Sequence, residues 1–228
     1  MYYNLNNLDY NSICKFPLKL AIIECLFCFA GLTMVDCINI ARYFIVRAYE
    51  EGIEAEMTNM KVQKLLYYAQ CLHLALYNEP LFNEVIQAWR YGPVCPPVYK
   101  FYSDFEANQL PIPSKEFLLE IPNDKKHLLE EVWEYFGGYN AYRLSGMTHL
   151  EFPWRKARKG LSPEASSTEP ILLEDMKALG ERKLDIIERE HPAYEEVMSN
   201  ILEDACNSEA STRINKGEVR GWLNSLLD

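Results

Sequence analysis

The sequence predicts a mainly α fold: a compact multi-helix domain with at most a short β element, followed by a helical C-terminal extension. Three observations carry this. Apolar residues recur at helical spacing in segment after segment, from Val35, Ile38, Ala41 and Ile45 to Val219, Trp222, Leu223 and Leu226. The punctuation between those segments is that of helix ends, with Thr58, Asn123 and Asn140 as candidate N-caps and Gly137-Gly138 as a stop. Strand-like alternation is confined to Phe117, Leu119 and Ile121. The chain has 228 residues, 49% of them hydrophobic and 13% aromatic, which is enough to pack a substantial core.

In order, the first clean amphipathic helix follows Met34, with Val35, Ile38, Ala41, Ile45, Ala48 and Tyr49 near one face. A second follows Thr58, with Leu65, Leu66, Ala69, Leu72 and Leu76 as its apolar face. Asn78-Glu79-Pro80 ends it, because proline disfavours helical backbone in the residue before it. A short extended piece leads to Tyr91-Gly92-Pro93-Val94, which turns the chain. Pro96-Pro97 then sits where a first helical turn tolerates proline, opening a short helix that reaches about Glu106. Leu110 to Pro122 is a proline-punctuated connection. A helix capped by Asn123 carries Leu128, Leu129, Val132, Trp133 and Phe136, and a further one capped by Asn140 ends near His149. Pro153-Trp154 begins a short turn, and Leu161–Pro170 has linker composition. Ile171 to about Glu190 is helical, His191-Pro192 breaks it, and two more helices follow within 194–228.

Charge is unevenly spread. The net charge is −10, of which residues 161–228 hold −8 (7 basic against 15 acidic). An acidic tail is repelled by phosphate backbones and suits a basic protein, so nucleic acid is a poor partner for it. Seven scattered cysteines read as buried thiols in a reducing, cytoplasmic setting. Cys25-Leu-Phe-Cys28 lies in an apolar run without a second ligand pair, so no metal or cofactor is expected. That run, Ala21–Leu32, is too short to span a membrane and contains Glu24. Residues 1–33 differ from the rest, and Met34 is the expected native start.

Tests for catalytic chemistry largely fail. There is no phosphate-cradling glycine loop, no Gly-x-Ser-x-Gly elbow and no zinc-protease helix. His149, beside Thr148, Glu151 and Arg155, is a candidate acid–base group, but it equally suits a structural role pinning a helix end to the Pro-Trp turn. Arg155, Lys156, Arg158 and Lys159 beside Trp154 form a compact basic patch that could meet phosphates. A non-enzymatic protein is the expectation.

Two blocks then acquire a common meaning. Met60-Lys-Val-Gln-Lys-Leu-Leu-Tyr-Tyr-Ala69, Glu79-Pro-Leu-Phe82, Ala88-Trp-Arg-Tyr-Gly-Pro-Val94 and Pro97-Val-Tyr99 make the first; Leu144-Ser-Gly-Met-Thr-His149 and Pro153-Trp-Arg-Lys-Ala157 make the second. Together they resemble the Panacea domain of SocA-like antitoxins over about residues 35–182, with Cys71 and Cys95-Pro96 as mild departures. The resemblance implies a helical domain over 34–182 that neutralises a co-encoded protein toxin by binding it, or delivers it to an AAA+ protease as an adaptor. It brings no catalytic residues or cofactor. A hydrolase built on His149 is the reading from a different class.

Residues 183–228 would be an acidic helical extension. Ile214, then Glu218-Val219 and Trp222-Leu223, resemble the toxin-wrapping tails of antitoxins for RelE/ParE-like toxins. The expected partner-binding set is therefore Ile214, Val219, Trp222, Leu223, Tyr91, His149, Trp154 and Arg155.

Overall fold

A computed structural model describes residues 34–162 and 164–190. Among them are seven α-helices and one two-stranded sheet: α1 (Cys37–Glu50), α2 (Asn59–Tyr77), β1 (Gln87–Trp89), β2 (Gly92–Val94), α3 (Pro96–Phe101), α4 (Asn123–Phe136), α5 (Ala141–Leu150), α6 (Phe152–Ala157) and α7 (Leu173–Glu190). The mainly α expectation therefore holds for these residues. The expected leader over 1–33, the helices expected beyond 190 and the tail residues Ile214, Val219, Trp222 and Leu223 lie outside the described residues.

Most helix ends follow local chemistry. Asp36 caps α1 by accepting from the Ile38 amide, Thr58 accepts from Lys61, and Asn140 accepts from Arg143. The α2 C-cap is Asn78 in left-handed backbone, a conformation asparagine tolerates well. Asn123 does not cap α4 as expected. It is the first helical residue, behind a Pro122 cap with no side-chain bond, because the fixed φ of proline suits the entry and its carbonyl accepts from Lys126. The alternating stretch is also not a strand: Lys115–Glu120 is a 3₁₀-helix capped by Ser114. A strand needs a ladder partner, and among the described residues none pairs with this stretch.

The second helix departs most from its sequence reading. It is not amphipathic in place but the central rod, with fifteen of nineteen residues buried. It packs against α1, α4, α5, α3 and β2. Its polar residues Asn59, Lys61, Gln63, Lys64, Gln70 and His73 are all buried, and each must find a partner within the fold. Gln70 does so by accepting from the Leu81 and Phe82 amides and donating to the Phe82 carbonyl. His73 Nδ1 meets the Glu79 carbonyl at 2.7 Å, so that nitrogen carries the proton, and burial pushes the ring down to about 4.

Aromatic contacts lock the layers. Tyr68 on α2 stacks on Phe136 of α4 at 4.0 Å, and Phe44 of α1 stacks on Trp133 at 6.4 Å. Each large side chain so buried contributes about 1.5–3 kcal/mol.

The last described helix, α7, is docked along this body. Leu179, Leu184 and Ile187 are buried, and Lys183 pairs with the buried Glu151 at 2.9 Å, which also accepts from the Tyr68 hydroxyl at 3.1 Å. At the crossing with α2, Gly180 lies so close that an added Cβ would stand 2.0 Å from the Cys71 carbonyl oxygen. Position 182, the expected end of the helical domain, falls inside α7.

Candidate functional site

The site is built on a hairpin that the sequence suggested only as an extended piece and a turn. β1 and β2 pair antiparallel, with Gln87 opposite Val94, Ala88 opposite Pro93 and Trp89 opposite Gly92. Gly92 has φ of 101°, backbone that favours glycine, and an added Cβ would lie 2.7 Å from Thr148 Oγ1 and 2.9 Å from Lys64 Nζ. Pro93 is tolerated in β2 because its position points away from β1, where a missing amide costs no ladder bond.

The α5–α6 corner holds this hairpin from one side. Ser145 donates to the Tyr91 carbonyl at 3.0 Å, and the Trp154 indole donates to the Trp89 carbonyl at 2.9 Å. His149 lies with its ring 4.4 Å from that of Trp154, and its imidazole hydrogen-bonds to the backbone of Arg90. Tyr91, His149 and Trp154 are thus brought together, whereas Arg155 lies on the exposed face of α6. Burial and the nearby Lys64 hold His149 below its ordinary value. The neighbouring hydroxyls donate to carbonyls, Thr148 to Ser145 and Ser145 to Tyr91, so neither is aligned with a base as an activated nucleophile. The geometry matches the pinning role for His149.

The basic patch divides. Arg158 is buried and clasps three carbonyls, those of Ala88 at 3.1 Å, Ser162 at 3.0 Å and Ala165 at 2.7 Å, while lying over the Trp154 ring. Lys156 pairs with Asp175 at 2.8 Å. Half the patch is therefore structural. The stretch with linker composition is held as well: the Ala88 amide donates to Glu169 and the Ile171 amide to Ile86, which straps the chain along β1. Removing the clasp should release that strap. For Arg158→Met we expect loss of roughly 3 kcal/mol, about 1 for each carbonyl left unpaired, and hydrogen exchange at Ala88 and Ile171 that outpaces the rest of the body. Unchanged protection at both amides would refute the clasp.

Beside the hairpin lies a groove of about 730 Å³. Trp89, Tyr91, Tyr99 and Tyr142 wall it, with Asn59, Gln63 and Lys64 of α2 beneath. Tyr91 is 60% exposed and Tyr142 82%. The amides are fixed: Asn59 donates to the Tyr99 carbonyl, Gln63 donates to Asn59, and Gln63 accepts from the Cys95 amide. Lys64 has a buried side chain and donates to the Pro93 carbonyl at 3.0 Å. Desolvation pushes it down to about 7, so ammonium and amine coexist near neutral pH. Sequence reasoning missed Lys64 altogether. The available signal was its place within Val62-Gln-Lys-Leu-Leu66, a buried turn of the central helix. Among the described residues no cluster of His, Cys, Asp and Glu could hold a metal, and no helix is long and apolar enough to cross a membrane.

Comparison with known proteins converges on the segment that builds this site. Residues 62–155 match the model of the family described as Antitoxin SocA-like, Panacea domain. Over 69 residues the chain is 35% identical to Antitoxin SocA of Caulobacter vibrioides (strain NA1000 / CB15N), which covers 30% of this chain and 36% of that relative. The chain thus spans about a third of the length of the curated relative it matches. No solved structure matches. From α2 through the hairpin to the α5–α6 corner, this chain is therefore similar to the Panacea domain of SocA-like antitoxins.

Proposed function

We propose that this chain is the antitoxin of a toxin–antitoxin pair and neutralises a protein toxin by binding it directly. The observation that carries the proposal is the match of residues 62–155 to the SocA-like Panacea domain. The exposed aromatic rim at Tyr91 and Tyr142 supports a protein-binding role, since aromatic side chains supply large contact area for little lost freedom. In this reading the toxin is basic, drawn by the −8 charge of residues 161–228. Trp222 and Leu223, with Ile214 and Val219, anchor it through the tail, and Tyr91, His149, Trp154 and Arg155 mark the face of the body.

The decisive test is co-expression with the neighbouring gene in the cytoplasm of a bacterial host. Growth arrest by that gene alone, relieved by this chain, is the expected result; a harmless neighbour, or arrest without relief, would sink the proposal. Toxin half-life is read in the same cells. Direct neutralisation leaves toxin levels intact, whereas a fall would make the chain a proteolytic adaptor and refute neutralisation by binding alone. For a variant lacking residues 207–228 we expect toxin affinity at least tenfold weaker, with the circular dichroism of the helical body retained; full affinity would remove the tail's role.

A further inference from the structure

Among the described residues two lysines, Lys61 and Lys64, are buried. Lys61, as deeply buried as Lys64, has Glu56 at 3.6 Å and lies over the Trp133 ring. Lys115, Lys125, Lys156, Lys177 and Lys183 each pair with a carboxylate. For Lys64 the bond is to a neutral carbonyl, and among the described residues no carboxylate lies within ion-pair distance. Its nitrogen has three donor positions when charged, and the Pro93 carbonyl takes one. Burying such a group costs free energy that a counter-charge would return.

That cost is placed against a groove. Lys64 lines it, and the groove's size is within the range of about 300–1,000 Å³ typical of sites that enclose a ligand. The amides on either side are held by Tyr99, Cys95 and each other and are neutral, so the charge that this α2 turn brings to the groove is Lys64's. Arg90 at the rim is paired with Glu164. The walls are aromatic. Such a site suits one negative charge attached to an apolar or aromatic body. A multiply acidic segment is disfavoured, because the chain itself carries −10.

We propose that the groove receives the C-terminal end of a partner polypeptide, its terminal carboxylate on Lys64 and its last apolar side chain between Trp89, Tyr91, Tyr99 and Tyr142. A chain terminus supplies a single carboxylate whatever its sequence, and capture of that carboxylate is a recurring mode of peptide recognition. Lys64 takes up a proton as the carboxylate arrives, so the cation is paid for by its ligand. The groups around it are His149 on α5, which feels its charge, and Arg90 and Glu106, which line the groove. The idea adds a binding mode to the protein-binding reading above and does not depend on the partner being a toxin.

The test uses the full chain and N-acetyltryptophan as the smallest model of a peptide end. Its neutral amide and acetate are the controls, with binding followed by calorimetry at pH 6.5 and 9.5. Saturable binding of N-acetyltryptophan, at least tenfold tighter than the amide and than acetate, is expected, weakening at pH 9.5 as Lys64 loses its proton. Lys64→Met should abolish the preference for the acid over the amide. Tyr142→Ala, which touches an 82%-exposed side chain, should weaken binding severalfold with an unchanged melting temperature. Equal affinity for acid and amide, binding of acetate as tight as of N-acetyltryptophan, or no saturation by wild type would each overturn the proposal. Toxin neutralisation that persists without N-acetyltryptophan binding would refute the groove's role and leave the antitoxin reading standing.

Discussion

Gly180→Ala is expected to lower the melting temperature by roughly 4–8 °C, despite replacing glycine inside a helix. Taken alone, α7 would gain up to about 1 kcal/mol from the change, since alanine is the better helix former. Packing decides the outcome. The new methyl would lie 2.0 Å from the Cys71 carbonyl oxygen, 2.6 Å from its carbon and 2.9 Å from Ala75 Cβ. The struck atoms belong to the backbone of the central helix, which cannot step aside as a flexible side chain can. Overpacking of this kind costs about 1–3 kcal/mol or more, and here the upper end applies. A net loss of about 2 kcal/mol corresponds to the stated shift for a chain of this size. Differential scanning calorimetry reads it directly, and an unchanged or raised melting temperature would mean that α7 does not cross α2 at Gly180.

Lys64→Met should act in the opposite direction, raising stability at neutral pH by roughly 2 kcal/mol. The sign follows from proton counting. Lys64 ionises at about 7 in the fold against 10.5 when unfolded, so between those values the unfolded chain binds the extra proton. Wild-type stability therefore rises with pH from about 7 to about 10.5, and the cost is fully present below that window. At about 1.36 kcal/mol per pH unit the burden at pH 7 is on the order of 4 kcal/mol. Methionine removes it, at the loss of about 1 kcal/mol for the bond to Pro93 and some further loss from imperfect packing. Urea midpoints at pH 7 and pH 10 provide the check. The gap between wild type and variant should shrink markedly at the higher pH. A wild-type profile that is flat over this range would refute the account. A residue whose removal stabilises the fold is the mark of a site maintained for use rather than for packing.

Local chemistry was legible wherever a short-range rule governs the outcome. Thr58 and Asn140 cap because their oxygens reach amides three residues on, and Pro96-Pro97 open α3 because a first turn does not need their amides. Lys64 was opaque because its letter denotes solvent and its burial is imposed from 29 residues away, where Pro93 accepts its proton. Arg158 misled for the same reason, reading as part of a surface patch while its partner Ala88 lies 70 residues back. The groove is the sum of such long-range approaches, drawing walls from the hairpin, α3 and α5 that no spacing within one segment could join. The resemblance reached the right segment by matching the residues that build it, without revealing what they enclose.

The hairpin also limits the manner in which anything can bind. A two-stranded ribbon ordinarily leaves two open edges, each a template for a further strand, for aggregation or for exchange between copies. Here both edges are taken. The strap holds the outer side of β1 through Glu169 and Ile171, and on β2 the Pro93 carbonyl receives Lys64 while the Cys95 amide just beyond it donates to Gln63. A partner cannot extend this sheet by main-chain pairing, so it must be read through side chains alone. Such a surface can be retuned at Tyr91 or Tyr142, one exposed residue at a time, while the ribbon behind it stays closed.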